Sequence, residues 1–203
     1  MAIFDVFPMD IRAFAQRFIS EVCGESVTSN TTDREWTGIV KDVLRFMGQE
    51  QRFAVSPNRS KGQGEYLLDL LWQKPAPCPD IILAVESEWG TKTAVLDDFE
   101  KLMHVKSVLK LMVYGTSRHE KQSTSIRHDI NQKYIKTFTQ HLAGEQYLLV
   151  EFAVSERMAY AYFLSLREDG PQSNEADFKE LLATPIRLGG DPGPLAHTVK
   201  PAI

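Results

Sequence analysis

Residues 81 to 89 read Ile-Ile-Leu-Ala-Val-Glu-Ser-Glu-Trp, an apolar run that ends in two carboxylates. Such continuous hydrophobicity predicts a strand that is covered on both faces, as in the centre of an α/β sheet. Successive side chains of a strand point to opposite faces, so Glu86 and Glu88 should lie side by side on one face. The sequence therefore predicts a buried central strand whose end carries two acidic groups.

A shorter apolar segment with an aspartate at its centre precedes this strand. Residues 67 to 71 read Leu-Leu-Asp-Leu-Leu, and we expect a strand over 65 to 72. If the two strands pair, Asp69 joins Glu86 and Glu88. Two carboxylates about 4 Å apart repel each other by roughly 4 kcal/mol at an effective dielectric constant near 20. Three of them together require a cation, shared protons or basic neighbours, so a divalent-metal site is the sharpest hypothesis.

Helical and strand periodicities continue on both sides of these segments. Thr32 and Glu35 have the spacing of a capping box at the start of a helix whose apolar stripe ends at Gly48. The other expected elements are helices over 8 to 22, 94 to 108, 123 to 142 and 175 to 183, and strands over 50 to 56, 109 to 114, 146 to 154 and 158 to 166. We therefore expect an α/β fold in which a central mixed β-sheet is flanked by helices on both faces.

Length and composition indicate one domain. The 203 residues, of which 43% are hydrophobic and 25% charged, are enough for a sizeable core. We expect a single domain over 1 to 203. An N-terminal helix and linker over 1 to 30 and a Gly/Pro-rich C-terminal segment over 168 to 203 flank its α/β core over 32 to 167.

The net charge, the two cysteines and the absence of several motifs exclude some classes of function. A net charge of -4 gives no global attraction to nucleic acid, so a polyanion would need a local basic face. Cys23 and Cys78 show no metal or disulfide spacing, which is typical of a reducing compartment and predicts a cytoplasmic protein. Residues 1 to 30 show no basic region followed by a long apolar run, and no segment has membrane length, so we expect neither a secreted nor a membrane protein. The sequence also shows no phosphate-binding glycine loop, no nucleophile elbow and no histidines at ligand spacing.

The spacing of the three carboxylates resembles that of a nuclease superfamily. Asp69 is followed, after the sixteen residues 70 to 85, by Glu86-Ser87-Glu88. In a helix, strand, strand, strand, helix, strand context, this order resembles the PD-(D/E)XK superfamily with its restriction-endonuclease-like fold, over residues 32 to 115. That superfamily usually has lysine where Glu88 stands, and the glutamate variant resembles the BamHI type of restriction enzyme. The resemblance implies a Mg²⁺- or Mn²⁺-dependent endonuclease that hydrolyses phosphodiester bonds in DNA, or less favourably in RNA.

The resemblance also implies roles for these residues. Asp69 and Glu86 would hold the metal ion together with the backbone carbonyl of Ser87, and Glu88 would orient or deprotonate the attacking water. Hard Mg²⁺ prefers oxygen ligands and keeps several waters, so such a set leaves room for a phosphate oxygen and a nucleophilic water. For Glu86 and Glu88 the alternative is the solvated end of a strand.

Two further catalytic candidates have structural alternatives. A glutamate on the first core helix is common in the superfamily, and Glu35 is its match, although it also completes the capping box. Lys101 could supply the positive charge that is missing at position 88. Lys101 also follows Asp97 by four residues, the spacing of an ordinary surface ion pair on a helix.

A basic stretch supplies candidate contacts to nucleic acid. The candidate residues are Arg118, Lys121, Arg127 and Lys133, with Arg59 and Lys61 in the loop before the aspartate strand. Such residues either contact phosphates without reading sequence or form a solvated surface. Two main functions therefore stay open: a metal-dependent nuclease, or a catalytically inactive module of the same fold that binds or regulates within a larger complex. Another metal-assisted hydrolysis is a third alternative, and a homodimer is compatible with each of them.

Overall fold

The computed structural model describes residues 7–24, 27–28, 30–56, 67–75, 77, 80–116, 120–141, 144–166 and 177–187, with the side chains of 120–124 excepted. These residues form one seven-stranded sheet and four α-helices. The helices are α1 (Ile11–Gly24), α2 (Asp33–Glu50), α3 (Lys92–Met103) and α4 (Glu120–Asp129), the last continuing as a π-helix over Ile130–Ile135. The strands are β1 (Ala54–Ser56), β2 (Leu70–Gln73), β3 (Ile81–Glu88), β4 (Leu109–Gly115), β5 (Gln146–Ala153), β6 (Met158–Ser165) and β7 (Lys179–Pro185).

The strands lie in the sheet in the order of the sequence. Strands β1, β2 and β3 are antiparallel to one another, β3, β4 and β5 are parallel, and β6 and β7 complete the sheet as antiparallel strands. Parallel neighbours need a crossover, which α3 supplies between β3 and β4 and α4 supplies between β4 and β5. The predicted mixed α/β sheet and the predicted β5–β6 hairpin are confirmed.

The alternation of side chains divides the core into two layers. Leu83 and Val85 of β3 pack on the side of α1 and α2, whereas Ala84 packs on the side of α3 and α4. Helices therefore cover both faces of the central strands, as the continuous apolar run of β3 predicts. On the first side, the indole Nε1 of Trp72 donates a 3.0 Å hydrogen bond to the carbonyl of Leu44 in α2. This hydrogen bond links α2 to β2.

Several predicted boundaries are corrected. The helix expected near 175 to 183 is wrong, because Lys179–Pro185 is strand β7, paired with β6. Leu181 and Leu182 pack against the α1 and α2 side of the core, so sheet pairing overrides the local pattern. The helix expected over 94 to 108 ends at Met103, and the one over 123 to 142 changes to a π-helix at Ile130.

A buried ionic network lies near the beginning of the parallel strands β4 and β5. The ammonium of Lys110, which has no exposed side-chain surface, donates to Glu145 Oε1 at 2.7 Å. The hydroxyl of Tyr147 donates to the other oxygen of Glu145 at 2.8 Å. Lys110 also donates to the carbonyl of Met103, which ties the end of α3 to β4. Because these charges are paired and hydrogen-bonded, the network can exist inside the core.

The helices within the described ranges include none whose length and apolar character would let it cross a membrane.

Candidate functional site

The β2–β3 pair brings Asp69 and Glu86 together. Leu70 of β2 pairs with Val85 of β3 in antiparallel register, so the next positions along the two chains are Asp69 and Glu86. Trp89, just after β3, stacks on Trp36 of α2 with ring centroids 4.6 Å apart. This aromatic contact anchors the end of β3 against α2.

The Asp69 carboxylate is held by two elements. Lys41 of α2 places its Nζ 2.7 Å from Asp69 Oδ1. The backbone N–H and the hydroxyl of Ser87 each donate to Asp69 Oδ2 at 2.9 Å. These contacts fix the orientation of the Asp69 carboxylate at the end of the sheet. Whether the Ser87 carbonyl serves as a metal ligand stays a prediction.

The Glu86 carboxylate is buried without adequate compensation. Only 4% of the residue is exposed, and its Oε1 has no hydrogen-bond partner. Among the described residues, the Nζ of Lys101 approaches Glu86 Oε1 to 3.9 Å, beyond hydrogen-bond distance. Burial, followed by repulsion from Asp69 and Asp98, raises the pKa of Glu86 to about 8, although Lys101 and the N–H of Asp69 oppose the shift. Within the described part of the chain, the ionised form of Glu86 therefore has no hydrogen-bonded cation to balance its charge.

Asp98 and Lys101 face this carboxylate from α3. Lys101 Nζ lies 2.6 Å from Asp98 Oδ1, three residues earlier on the helix. This hydrogen bond, together with Glu86, raises the pKa of Lys101. The sequence spacing offered an ion pair with Asp97 as the structural alternative for Lys101, and neither Asp98 nor Lys41 was predicted to belong to the site. The i, i+3 spacing was the available signal for Asp98, whereas Lys41 has no sequence signal that separates it from a surface lysine.

The other two glutamates do not join the pair. Glu88 Oε1 accepts a 2.6 Å hydrogen bond from the backbone N–H of Gly90. Glu35 lies in the capping box of α2, where its carboxylate accepts from the N–H and hydroxyl of Thr32 at 2.8 Å each. These backbone and hydroxyl donors lower the pKa of Glu35. The capping box is confirmed, and the described residues contain no group of three or more His, Cys, Asp or Glu side chains that is placed to hold a metal ion.

Asp69 and Glu86 nevertheless fit a hard divalent cation. They offer oxygen donors only, and the buried, unpartnered Oε1 of Glu86 is an atom that a cation would satisfy. The negative charges that raise the pKa of Glu86 would be compensated by the same ion. The fit rests on two of the three carboxylates that the sequence analysis brought together.

The predicted nucleic-acid contacts are placed only in part. Arg127 lies over the ring of Tyr162 with its Cζ 3.8 Å from the centroid, and Lys133 pairs with Asp129 at 2.9 Å. Both side chains are therefore engaged within the protein. Arg59, Lys61 and Arg118 lie outside the described residues, as does the side chain of Lys121.

Comparison with protein-family models gives no match for this chain, and comparison with curated proteins gives none either.

Proposed function

We propose that this chain is a metal-dependent phosphodiesterase that acts on DNA, or less favourably on RNA, through Asp69 and Glu86. The observation that carries the proposal is the buried Oε1 of Glu86, which has no hydrogen-bond partner and lies beside a second carboxylate. A carboxylate buried in this way usually becomes neutral, pairs with a cation or binds a metal ion.

The order of elements supports this proposal. Helix α2, strands β1, β2 and β3, helix α3 and strand β4 follow one another along the chain. This is the order expected from the resemblance to the PD-(D/E)XK superfamily. Asp69 and Glu86, the two residues for which the resemblance implies metal binding, lie together at the β2–β3 pair, which supports the proposal.

Each residue of the site would have a separate role in the reaction. A bound divalent ion polarises a phosphate oxygen and lowers the pKa of a bound water. Glu86 would bind the ion through its unpartnered oxygen, and Asp69 would bind it from an orientation fixed by Ser87 and Lys41. Glu88 would have to give up its hydrogen bond to Gly90 before it could orient a water.

A test is cleavage of supercoiled plasmid with Mg²⁺ or Mn²⁺, with single-stranded RNA assayed in parallel. The wild-type chain should cleave only with metal, and Glu86→Gln and Asp69→Asn should fall to the rate without metal. Glu100→Gln, which changes an exposed glutamate on α3, is the matched control and should cleave like the wild type. Cleavage that survives EDTA, or that Glu86→Gln leaves intact, would refute the proposal.

The second candidate is a catalytically inactive module of the same fold, which would act within a larger complex. The hydrogen bond that engages Glu88 favours it, because no other glutamate joins Asp69 and Glu86 in the described part of the chain. A wild-type chain that binds DNA but leaves it uncut with every metal would support this candidate. The cytoplasmic location expected from the cysteines stays a prediction in either case.

A further inference from the structure

The Lys101 ammonium links Glu86 of β3 to Asp98 of α3, because its Nζ lies 3.9 Å from Glu86 Oε1 and 2.6 Å from Asp98 Oδ1. Glu86 is repelled by the charges of both Asp69 and Asp98, and all three side chains are largely shielded, with 5%, 19% and 16% of their surfaces exposed. Shielding strengthens their mutual repulsion, because interactions in a low dielectric are stronger than in water. A cluster of this kind is stabilised by a cation, a bound proton or basic neighbours.

The unpartnered atom of this cluster points to where the cation belongs. Glu86 Oε1 has no hydrogen-bond partner although 96% of the residue is shielded from solvent, since only 4% is exposed. The same atom is the one that Lys101 Nζ approaches to 3.9 Å. The ammonium is instead drawn to Asp98, at 2.6 Å, and leaves Glu86 only partly compensated.

The ammonium of Lys101, which faces these carboxylates, can move away from them. Lys101 has 49% of its side chain exposed, so its flexible stem can turn further into solvent, where water hydrates the ammonium. If all three carboxylates are ionised, they outnumber the ammonium groups of Lys101 and Lys41 by one. Exchange of the Lys101 ammonium for a divalent ion would remove that imbalance.

We propose that Asp98 is a third carboxylate ligand of the site and that Lys101 is a resident cation which a hard divalent ion, Mg²⁺ or Mn²⁺, displaces. In the present arrangement Asp98 is turned to Lys101, which explains why the described carboxylates do not already form a three-ligand group. On release of Lys101, the Asp98 carboxylate becomes available to the ion together with Glu86 and Asp69. This inference deepens the proposed function and rests on the same pair of residues.

Two possible roles of Lys101 lead to opposite predictions for the metal affinity of the site. If the ammonium competes with the metal, its removal tightens metal binding. If it instead assists the bound metal or its water from a neighbouring position, its removal leaves metal binding unchanged or weakens it. Metal affinity, rather than cleavage, is therefore the decisive quantity.

The experiment is a Mn²⁺ titration of the full chain, followed by the electron paramagnetic resonance signal of free Mn²⁺. Lys101→Met should bind Mn²⁺ about tenfold tighter or more, and Asp98→Asn about tenfold weaker or more, the range found when groups around a metal site are altered. The matched controls Lys106→Met and Asp97→Asn change exposed side chains on and just after the same helix and should stay within about twofold of the wild type. Circular dichroism checks that each variant is folded.

Unchanged or weaker binding by Lys101→Met would overturn the proposal, and so would the absence of Mn²⁺ binding by both this variant and the wild type. If Asp98→Asn does not fold, Lys101→Met decides alone. If the wild type cleaves DNA with Mn²⁺ but Lys101→Met binds Mn²⁺ more weakly, this inference is refuted and the proposed phosphodiesterase function is retained. Tighter binding by Lys101→Met without cleavage of any nucleic acid supports the metal site and refutes the phosphodiesterase.

Discussion

Replacing Glu86 with glutamine should remove a pH dependence from the stability of the metal-free protein. The pKa of Glu86 is raised to about 8 in the fold, from a usual value of 4.5. The folded state therefore holds a proton on this group over a pH range in which the unfolded chain has lost it. The resulting stabilisation is fully present below about pH 4.5 and is lost as the pH rises through about 8. Glutamine keeps the shape of the protonated acid and does not titrate.

The size of the effect follows from the pKa shift. One pKa unit corresponds to about 1.4 kcal/mol, so the shift amounts to between roughly 4 and 5 kcal/mol over the whole range. Between about pH 6 and pH 8 the wild type should lose roughly 2 kcal/mol relative to Glu86→Gln. For a chain of this size that difference corresponds to roughly 4 to 8 °C in Tm.

The assay is denaturant unfolding in EDTA at about pH 6 and pH 8, compared between the wild type and Glu86→Gln. Other titrating groups cancel in this difference if they do not contact residue 86. Glu100→Gln, an exposed glutamate on α3, should parallel the wild type at both pH values. A free energy difference between wild type and Glu86→Gln that does not change with pH would refute the assignment of a high pKa to this carboxylate.

Two further predictions concern packing and the buried ionic network. A Cβ at Gly48 would lie 2.6 Å from Trp72 Nε1, so Gly48→Ala should destabilise the protein by about 1 to 3 kcal/mol. Gly38, on the same helix, has nothing within 4 Å of its Cβ position, so Gly38→Ala should stabilise the protein by roughly 0.5 to 1 kcal/mol. If Gly48→Ala and Gly38→Ala changed the stability equally in thermal unfolding, the described packing of Gly48 against Trp72 would be contradicted. Lys110→Met should cost about 3 kcal/mol, because the buried Glu145 loses its ammonium partner and keeps only its contacts with Tyr147 and His141. Adding Glu145→Gln should recover part of that loss in urea unfolding, and a double variant less stable than Lys110→Met would refute the pairing argument.

The fold was predictable where local sequence and tertiary packing agree. The apolar run of β3 and the capping box of α2 each carry their own signal, and both appear as expected. Strand β7 was not predictable in the same way, because it is stabilised by pairing with β6 and not by its own pattern.

The part of the candidate site that lies at the β2–β3 pair could be predicted from the sequence, whereas the part on the helices could not. Asp69 was expected to join Glu86 if their two strands pair, and the antiparallel register of β2 and β3 brings them together, although β2 begins at Leu70, one residue after Asp69. The cations and the third carboxylate come from helices whose rotation about their axes depends on packing, so Lys41 and Asp98 could not be assigned. Glu88 shares a face with Glu86 on an ideal strand, but its side chain turns to the N–H of Gly90 where the strand ends.

The most direct test of the Asp69–Glu86 site is an anomalous difference map from crystals grown with Mn²⁺. We predict a peak about 2 Å from Glu86 Oε1, in contact with Asp69 as well, with the Lys101 ammonium moved away from Asp98. No peak at these carboxylates in crystals with Mn²⁺ bound elsewhere, or a Glu86 that keeps its unpartnered oxygen at saturating metal, would contradict the account.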